Sequence, residues 1–151
     1  MYVRLADELP HPPEELLDTL DILPEKYKNY HPTGWWSTVS SYDTNPGLEE
    51  FFQEYFDYPI VCRYQLIFRS LPPHIDAGLK GMTKFNYLLE PGGKDIETYF
   101  WSDMEGQTLL HTEICEPRTW YELNVGIPHG ISNVDTCRFS LVIRTRDTRP
   151  I

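Results

Sequence analysis

VCRYQLIFRSL, residues 61–71, alternates polar and apolar side chains with a period of two, as the two faces of a strand require. Five later segments repeat the pattern: TKFNYLLE (83–90), IETYFWS (96–102), TLLHTEIC (108–115), RTWYELNVG (118–126) and CRFSLVIRTR (137–146). Each is bounded by Pro, Gly, Asp or Asn, which end strands in turns. No helical segment separates them, so the strands are expected to pair antiparallel, in a sandwich or a squat barrel. Ten Tyr, seven Phe and four Trp favour strands, and thirteen Pro favour short elements joined by turns.

On the N-terminal side the period changes. HPPEELLDTLDIL (11–23) places two glutamates after its prolines and spaces Leu16, Leu17, Leu20 and Leu23 at helical intervals, which predicts a helix from near Pro12 to a stop at Pro24. NPGLEEFFQEYF (45–56) predicts a second helix, with Leu48, Phe51, Phe52, Tyr55 and Phe56 on one side and Glu49, Glu50, Gln53 and Glu54 on the other. Between them lies loop, with a short strand through Trp36 to Ser40. The expected domain is single: 1–58 as helical and loop support, and 59–147 as a β core with both helices packed outside.

Asp and Glu outnumber Lys and Arg by 23 to 13, a net charge of −10 that repels phosphate backbones and anionic lipid and argues against nucleic acid as a partner. The first residues show no basic region leading into an apolar one, and no window approaches eighteen apolar residues, so a soluble, cytoplasmic protein is expected. Cys62, Cys115 and Cys137 are odd in number, far apart and without a C-x-x-C, which argues against a disulfide framework or a zinc-thiolate site. They read as reduced, buried thiols.

PHIDAG (73–78) follows the first strand segment. His74 and Asp76, two residues apart, reach the same face of an extended segment. Alone, H-x-D is equally a strand end in a turn. A third ligand would come from His11, His31, His111 or His129. His11 and His31 sit in Pro-flanked loops and His111 reads as a satisfied, half-buried histidine, whereas His129 lies between two strands in LNVGIPHGISNV. Two imidazoles and one carboxylate form the facial triad that holds ferrous iron and leaves positions open. Zinc accepts the same ligands, but no H-E-x-x-H glutamate supports a hydrolase.

Nine residues after His129 comes Arg138, with Ser140 two further on. R-F-S puts a guanidinium fork and a hydroxyl on one face of the last strand, the makings of a carboxylate clamp. Arg144, at the same alternation, is the rival for that role. Lys84 and Asn86 share a face of TKFNYLLE and either line the cofactor cavity or face solvent. The GWW and TYFW aromatics read as core.

H-x-D, the distal His in PHGISN and R-x-S together resemble the double-stranded β-helix (jelly-roll, cupin-like) oxygenases that depend on Fe(II) and 2-oxoglutarate, over about Cys62 to Arg146. The short chain and the W-x-x-x-N-V-G-x-P-H-x-x-x-N run are similar to compact bacterial and phage members near the aspartyl/asparaginyl β-hydroxylase group. Several of that group lack the carboxylate ligand that Asp76 supplies here, so a prolyl- or small-molecule-hydroxylase group fits equally. The resemblance implies Fe(II) on His74, Asp76 and His129, 2-oxoglutarate with its far carboxylate on Arg138 and Ser140, and dioxygen (O2) as second co-substrate. It also implies hydroxylation of a small-molecule or peptide substrate with release of succinate and carbon dioxide. A cupin-like metal enzyme or sugar-binding module without 2-oxoglutarate, and a non-catalytic interaction protein, are the rival classes.

Overall fold

The computed structural model describes residues 1–19, 39–76 and 83–145. Along the chain run β1 (Val3–Leu5), one turn of 3-10 helix (Glu14–Leu16), β2 (Val39–Asp43), α1 (Pro46–Gln53), β3 (Ile60–Ile67), β4 (Leu71–His74) and β5 (Thr83–Glu90). Then follow β6 (Thr98–Trp101), β7 (Leu109–Glu113), β8 (Trp120–Asn124), β9 (His129–Ile131) and β10 (Arg138–Thr145). The larger sheet has the order β1-β8-β5-β10-β3-β2 and the smaller β4-β9-β6-β7. Every pairing is antiparallel. From β3 onward the chain crosses repeatedly between the sheets, so β3-β10-β5-β8 faces β4-β9-β6-β7. That is the strand order of a double-stranded β-helix, a jelly roll.

The segment 61–71 divides at Phe68–Ser70, and its tail joins PPH as β4 in the other sheet. Prolines cannot donate to a ladder, and β4 is an edge strand, where two of them are tolerated. Asn133 N–H donates to Ser70 Oγ at 2.8 Å, tying this corner to the β9–β10 connection.

Alternation on the last strand separates two interiors. Phe139, Leu141 and Ile143 join Cys62, Tyr64, Leu66, Tyr87, Leu89 and Trp120 on the outer face of the larger sheet, where Ala6, Leu9, Leu48 and Phe52 complete the main apolar core. The opposite faces of β3, β5 and β10 look toward the smaller sheet and carry Gln65, Ile67, Lys84, Asn86, Arg138 and Ser140. The N-terminal segments therefore cover the outer face of this sheet, and the space between the sheets is left for polar groups.

α1 forms where expected. Asn45 caps it by accepting from Gly47 N–H, Pro46 opens it, and Leu48 and Phe52 are buried. Gln53 accepts from Ile60 N–H and donates to Tyr58 O, fastening the helix to β3. Tyr55, expected on the apolar side, is exposed. The first helix is corrected: only Glu14–Leu16 turn, and Leu17 is extended at φ −88° and ψ 137°. Asp18 N–H donates to Tyr64 Oη at 2.8 Å, and Leu16 and Leu17 pack on the core. The leucine spacing recorded burial, and tertiary contacts overrode helix propensity. Positions 20–23 of that segment, and 36–38 of the expected strand, lie outside the described residues. β2 begins at Val39, and with β1 it extends the larger sheet beyond the expected strands. No helix among the described residues is long and apolar enough to cross a membrane.

Candidate metal centre

β4 does not pair regularly. Leu71 is opposite Ile131 and His74 opposite His129, so three steps on β4 match two on β9. This is a β-bulge at Pro72–Pro73, and it changes the parity of the strand. In a regular strand His74 would face away from Leu71; here both line the same cavity. Gly130 permits the close approach, since a Cβ there would stand 2.5 Å from Leu71 O.

Three side chains converge as a result. His74 Nε2 and His129 Nε2 lie 3.5 Å and 3.4 Å from Asp76 Oδ1, and the ligand atoms of the three all fall within 4.8 Å of one another. Each imidazole is held from behind: His74 Nδ1–H donates to Pro72 O at 2.8 Å and His129 Nδ1–H to Ile127 O at 2.7 Å. A carbonyl only accepts, so Nδ1 carries a proton, which leaves Nε2, the atom turned toward Asp76, as the nitrogen able to ligate. Two imidazole nitrogens and a carboxylate oxygen that converge in this way could hold a metal ion, and a backbone partner on the far nitrogen is the usual support of a metal-ligating histidine. Two ligands about 2.1 Å from one ion and a right angle or more apart stand roughly 3–3.5 Å from each other. The residues present fit a divalent ion.

Lys84 completes the surroundings. Its Nζ lies 3.5 Å from Asp76 Oδ2 and 3.5 Å from Gln65 Oε1. Burial pushes the Asp76 carboxyl up, but the Lys84 ammonium and hydrogen bonds from His129 and His74 outweigh it and hold Asp76 ionised, well below the usual carboxylate range. Lys84 thus stands at the triad's carboxylate, and Asn86 is buried further along the same wall.

The triad opens into a cavity of about 410 Å³ between the sheets. Arg138 and Ser140 line it and are 4% and 3% exposed. Arg138 Nη1 donates to Pro91 O at 3.3 Å, and no carboxylate of the described residues is within ion-pair reach of it. Burial lowers its pKa, the signature of a guanidinium taken from water without an acid to meet it. Gly92 frames its backbone: at φ +82° it lets Gly92 O accept from Asp135 and Thr136 N–H, and a Cβ there would stand 2.7 Å from Arg138 N. Arg144 lines the cavity too, so both arginines of the last strand face it.

His11 bonds Tyr87 Oη at 2.9 Å, outside the cavity. His111 pairs with Glu113 at 3.1 Å and stacks on Tyr2, so it stands apart from the triad; His31 lies outside the described residues. The cysteines are free, and burial pushes the thiols up, Cys62 to about 12 and Cys115 and Cys137 to about 11, which keeps them protonated. Gln65, Thr98 and Gly92 were not legible as site residues. Gln65 and Thr98 sit at cavity-facing positions of strands whose alternation was visible, and PGG at 91–93 marked a turn, but nothing local placed that turn against Arg138.

No family model matches the chain, and no curated protein matches it. Among solved structures it is similar to vicilin from Corylus avellana (hazelnut), at a TM-score of 0.45 and 12% identity over 78% of this chain and 31% of that one.

Proposed function

We propose that the chain is an Fe(II)- and 2-oxoglutarate-dependent dioxygenase that hydroxylates a C–H bond of its substrate. The observation that carries this reading is one cavity with His74, Asp76 and His129 at one part of its wall and, at another, a buried Arg138 beside Ser140 with no carboxylate of the described residues in ion-pair reach. A metal site alone would need no such guanidinium. When bound, ferrous iron with 2-oxoglutarate and O2 supplies the oxidising chemistry, which turns the keto acid into succinate and carbon dioxide and inserts one oxygen atom into the substrate.

The chain's own work is to bind, orient and exclude water. His74, Asp76 and His129 would hold the ion from one side, leaving its other positions for ligands. Pro72 O and Ile127 O keep both imidazoles in the ligating tautomer. Lys84 occupies Asp76 Oδ2 and leaves Oδ1 for the ion. Arg138 would take the far carboxylate of 2-oxoglutarate as a planar fork, with the Ser140 hydroxyl as a further donor. Ile67, Leu71, Leu123 and Ile131 give the cavity dry walls, which strengthen these charge contacts.

The test is binding. A ligand that binds only the folded protein raises its melting temperature. Mn(II) with 2-oxoglutarate is expected to raise it more than either alone, and 2-oxoglutarate added to the anaerobic Fe(II) protein should develop the metal-to-keto-acid charge-transfer band. An unchanged melting temperature and no band at millimolar 2-oxoglutarate would sink the reading; metal retention without either response would leave a cupin-like metal protein.

A further inference from the structure

Arg138 is matched by the co-substrate in the reading above, but Arg144 is not. The two stand on the same face of β10, six residues apart, which is about 20 Å along a strand. Arg138 is almost wholly buried, whereas Arg144 is half-buried and keeps some contact with solvent. Arg144 falls one residue beyond the Ile143–Phe85 pair, where Lys84 lies on β5, and the Lys84 ammonium is 3.5 Å from Asp76. It thus belongs to the part of the wall nearer the metal centre. No carboxylate of the described residues lies within ion-pair distance of Arg144.

The charge balance of the cavity is opposite to that of the chain. Among the described residues, a protein of net charge −10 places Lys84, Arg138 and Arg144 on this wall against one carboxylate, Asp76. Lys84 answers Asp76, and one 2-oxoglutarate uses the ion and Arg138. A guanidinium half out of water beside a bound substrate is then left over. At about 410 Å³ the cavity is at the lower end of small-molecule pockets, with room for the co-substrate and one further small molecule. We propose, resting on the oxygenase reading, that Arg144 anchors an oxyanion of the prime substrate, which is a small carboxylic acid or phosphate monoester.

The experiment melts the Mn(II) protein, saturated with 2-oxoglutarate, in the presence of three pools at millimolar concentration. One holds free amino acids and simple mono- and dicarboxylic acids, the second the matching carboxamides, the third phosphate monoesters of small alcohols. One oxyanion pool is expected to raise the melting temperature by several degrees while the carboxamides do not, and which pool acts separates carboxylate from phosphate. Arg144→Gln should lose at least tenfold in affinity for the active component and keep the parent's 2-oxoglutarate midpoint. Arg144→Lys, which preserves the charge, should retain part of the response and guards against a misfolded glutamine variant.

Carboxamides acting as well as acids, no pool acting, or Arg144→Gln responding like the parent would each overturn the proposal. So would a weakened 2-oxoglutarate midpoint in Arg144→Gln, because Arg144 would then belong to the co-substrate. If the parent shows no response to 2-oxoglutarate, it is the oxygenase reading that falls, and the same pools on the Mn(II) protein alone still decide the role of Arg144.

Discussion

On the proposed oxygenase reading, Arg138 is the residue at which metal and co-substrate binding should come apart. Arg138→Ala is expected to leave iron retention intact and to weaken 2-oxoglutarate by about 2–5 kcal/mol, the range for truncating one partner of a buried charge pair. Arg138→Lys should recover only part, since an ammonium cannot reproduce the planar fork. Ser140→Ala should cost less, on the order of 1–3 kcal/mol for a hydrogen bond to a charged group. The midpoint of the charge-transfer band measures all three. Lys84 acts on the other ligand set: Lys84→Met removes the cation from Asp76 Oδ2, and metal affinity should fall about 10–100-fold, as for other outer partners of metal ligands, in a competition with a chelator. Unchanged affinity would show that Asp76 is oriented without it.

At the scale of elements, β10 and β4 each carry two functions that can be separated. Leu141, fully buried on the outer face of β10, belongs to the core shared with α1, so Leu141→Ala should lower unfolding free energy by about 2–5 kcal/mol in urea and leave the 2-oxoglutarate midpoint in place. Its neighbour Ser140 should behave in the opposite way. On β4 the bulge absorbs an extra residue, so that His74 keeps the face of Leu71. Deleting Pro73 would make three steps into two, regularise the ladder and still leave His74 on the Leu71 face, toward the cavity. The expected result is a folded protein that still retains metal, read by metal content after gel filtration; loss of metal would mean that the bulge itself, and not the parity alone, aims His74.

For the whole molecule, burial keeps several titrating groups neutral. Burial pushes Cys62 and Tyr64 to about 12 and Cys115 and Cys137 to about 11, against ordinary values of 9.0 for the thiols and 10.0 for the phenol. A raised value in the folded state means that the unfolded chain ionises first. Their contribution to stability is therefore complete below about pH 9 and is lost as the pH rises toward 11 and 12. Melting temperature should fall steadily above about pH 9, and Cys62 and Cys115 should react with a thiol reagent at pH 8 only after denaturation. Rapid labelling of the native protein would contradict the burial of Cys62 and Cys115.

The period-two alternation from residue 61 onward determined the sheets, because the side chains of a strand must serve two faces and each face has one environment. H-x-D, the later His129 and R-x-S determined which residue types were available for a site, since chemistry at this level depends on side-chain identity and spacing. Alternation does not say what covers a face. Only the tertiary structure decided that Phe139, Leu141 and Ile143 meet α1 and the N-terminal segment while Arg138, Ser140 and Arg144 meet the cavity. Three-residue strands such as β1 and β9 are too short to show a period, and they exist because longer neighbours offer them a ladder. The leucines at 16 and 17 sat at helical spacing, yet they are held by contacts with a core far away in sequence. The parity of β4, on which the triad depends, came from a bulge whose partner strand lies more than fifty residues on; a pairing that distant leaves no local trace in PPHID.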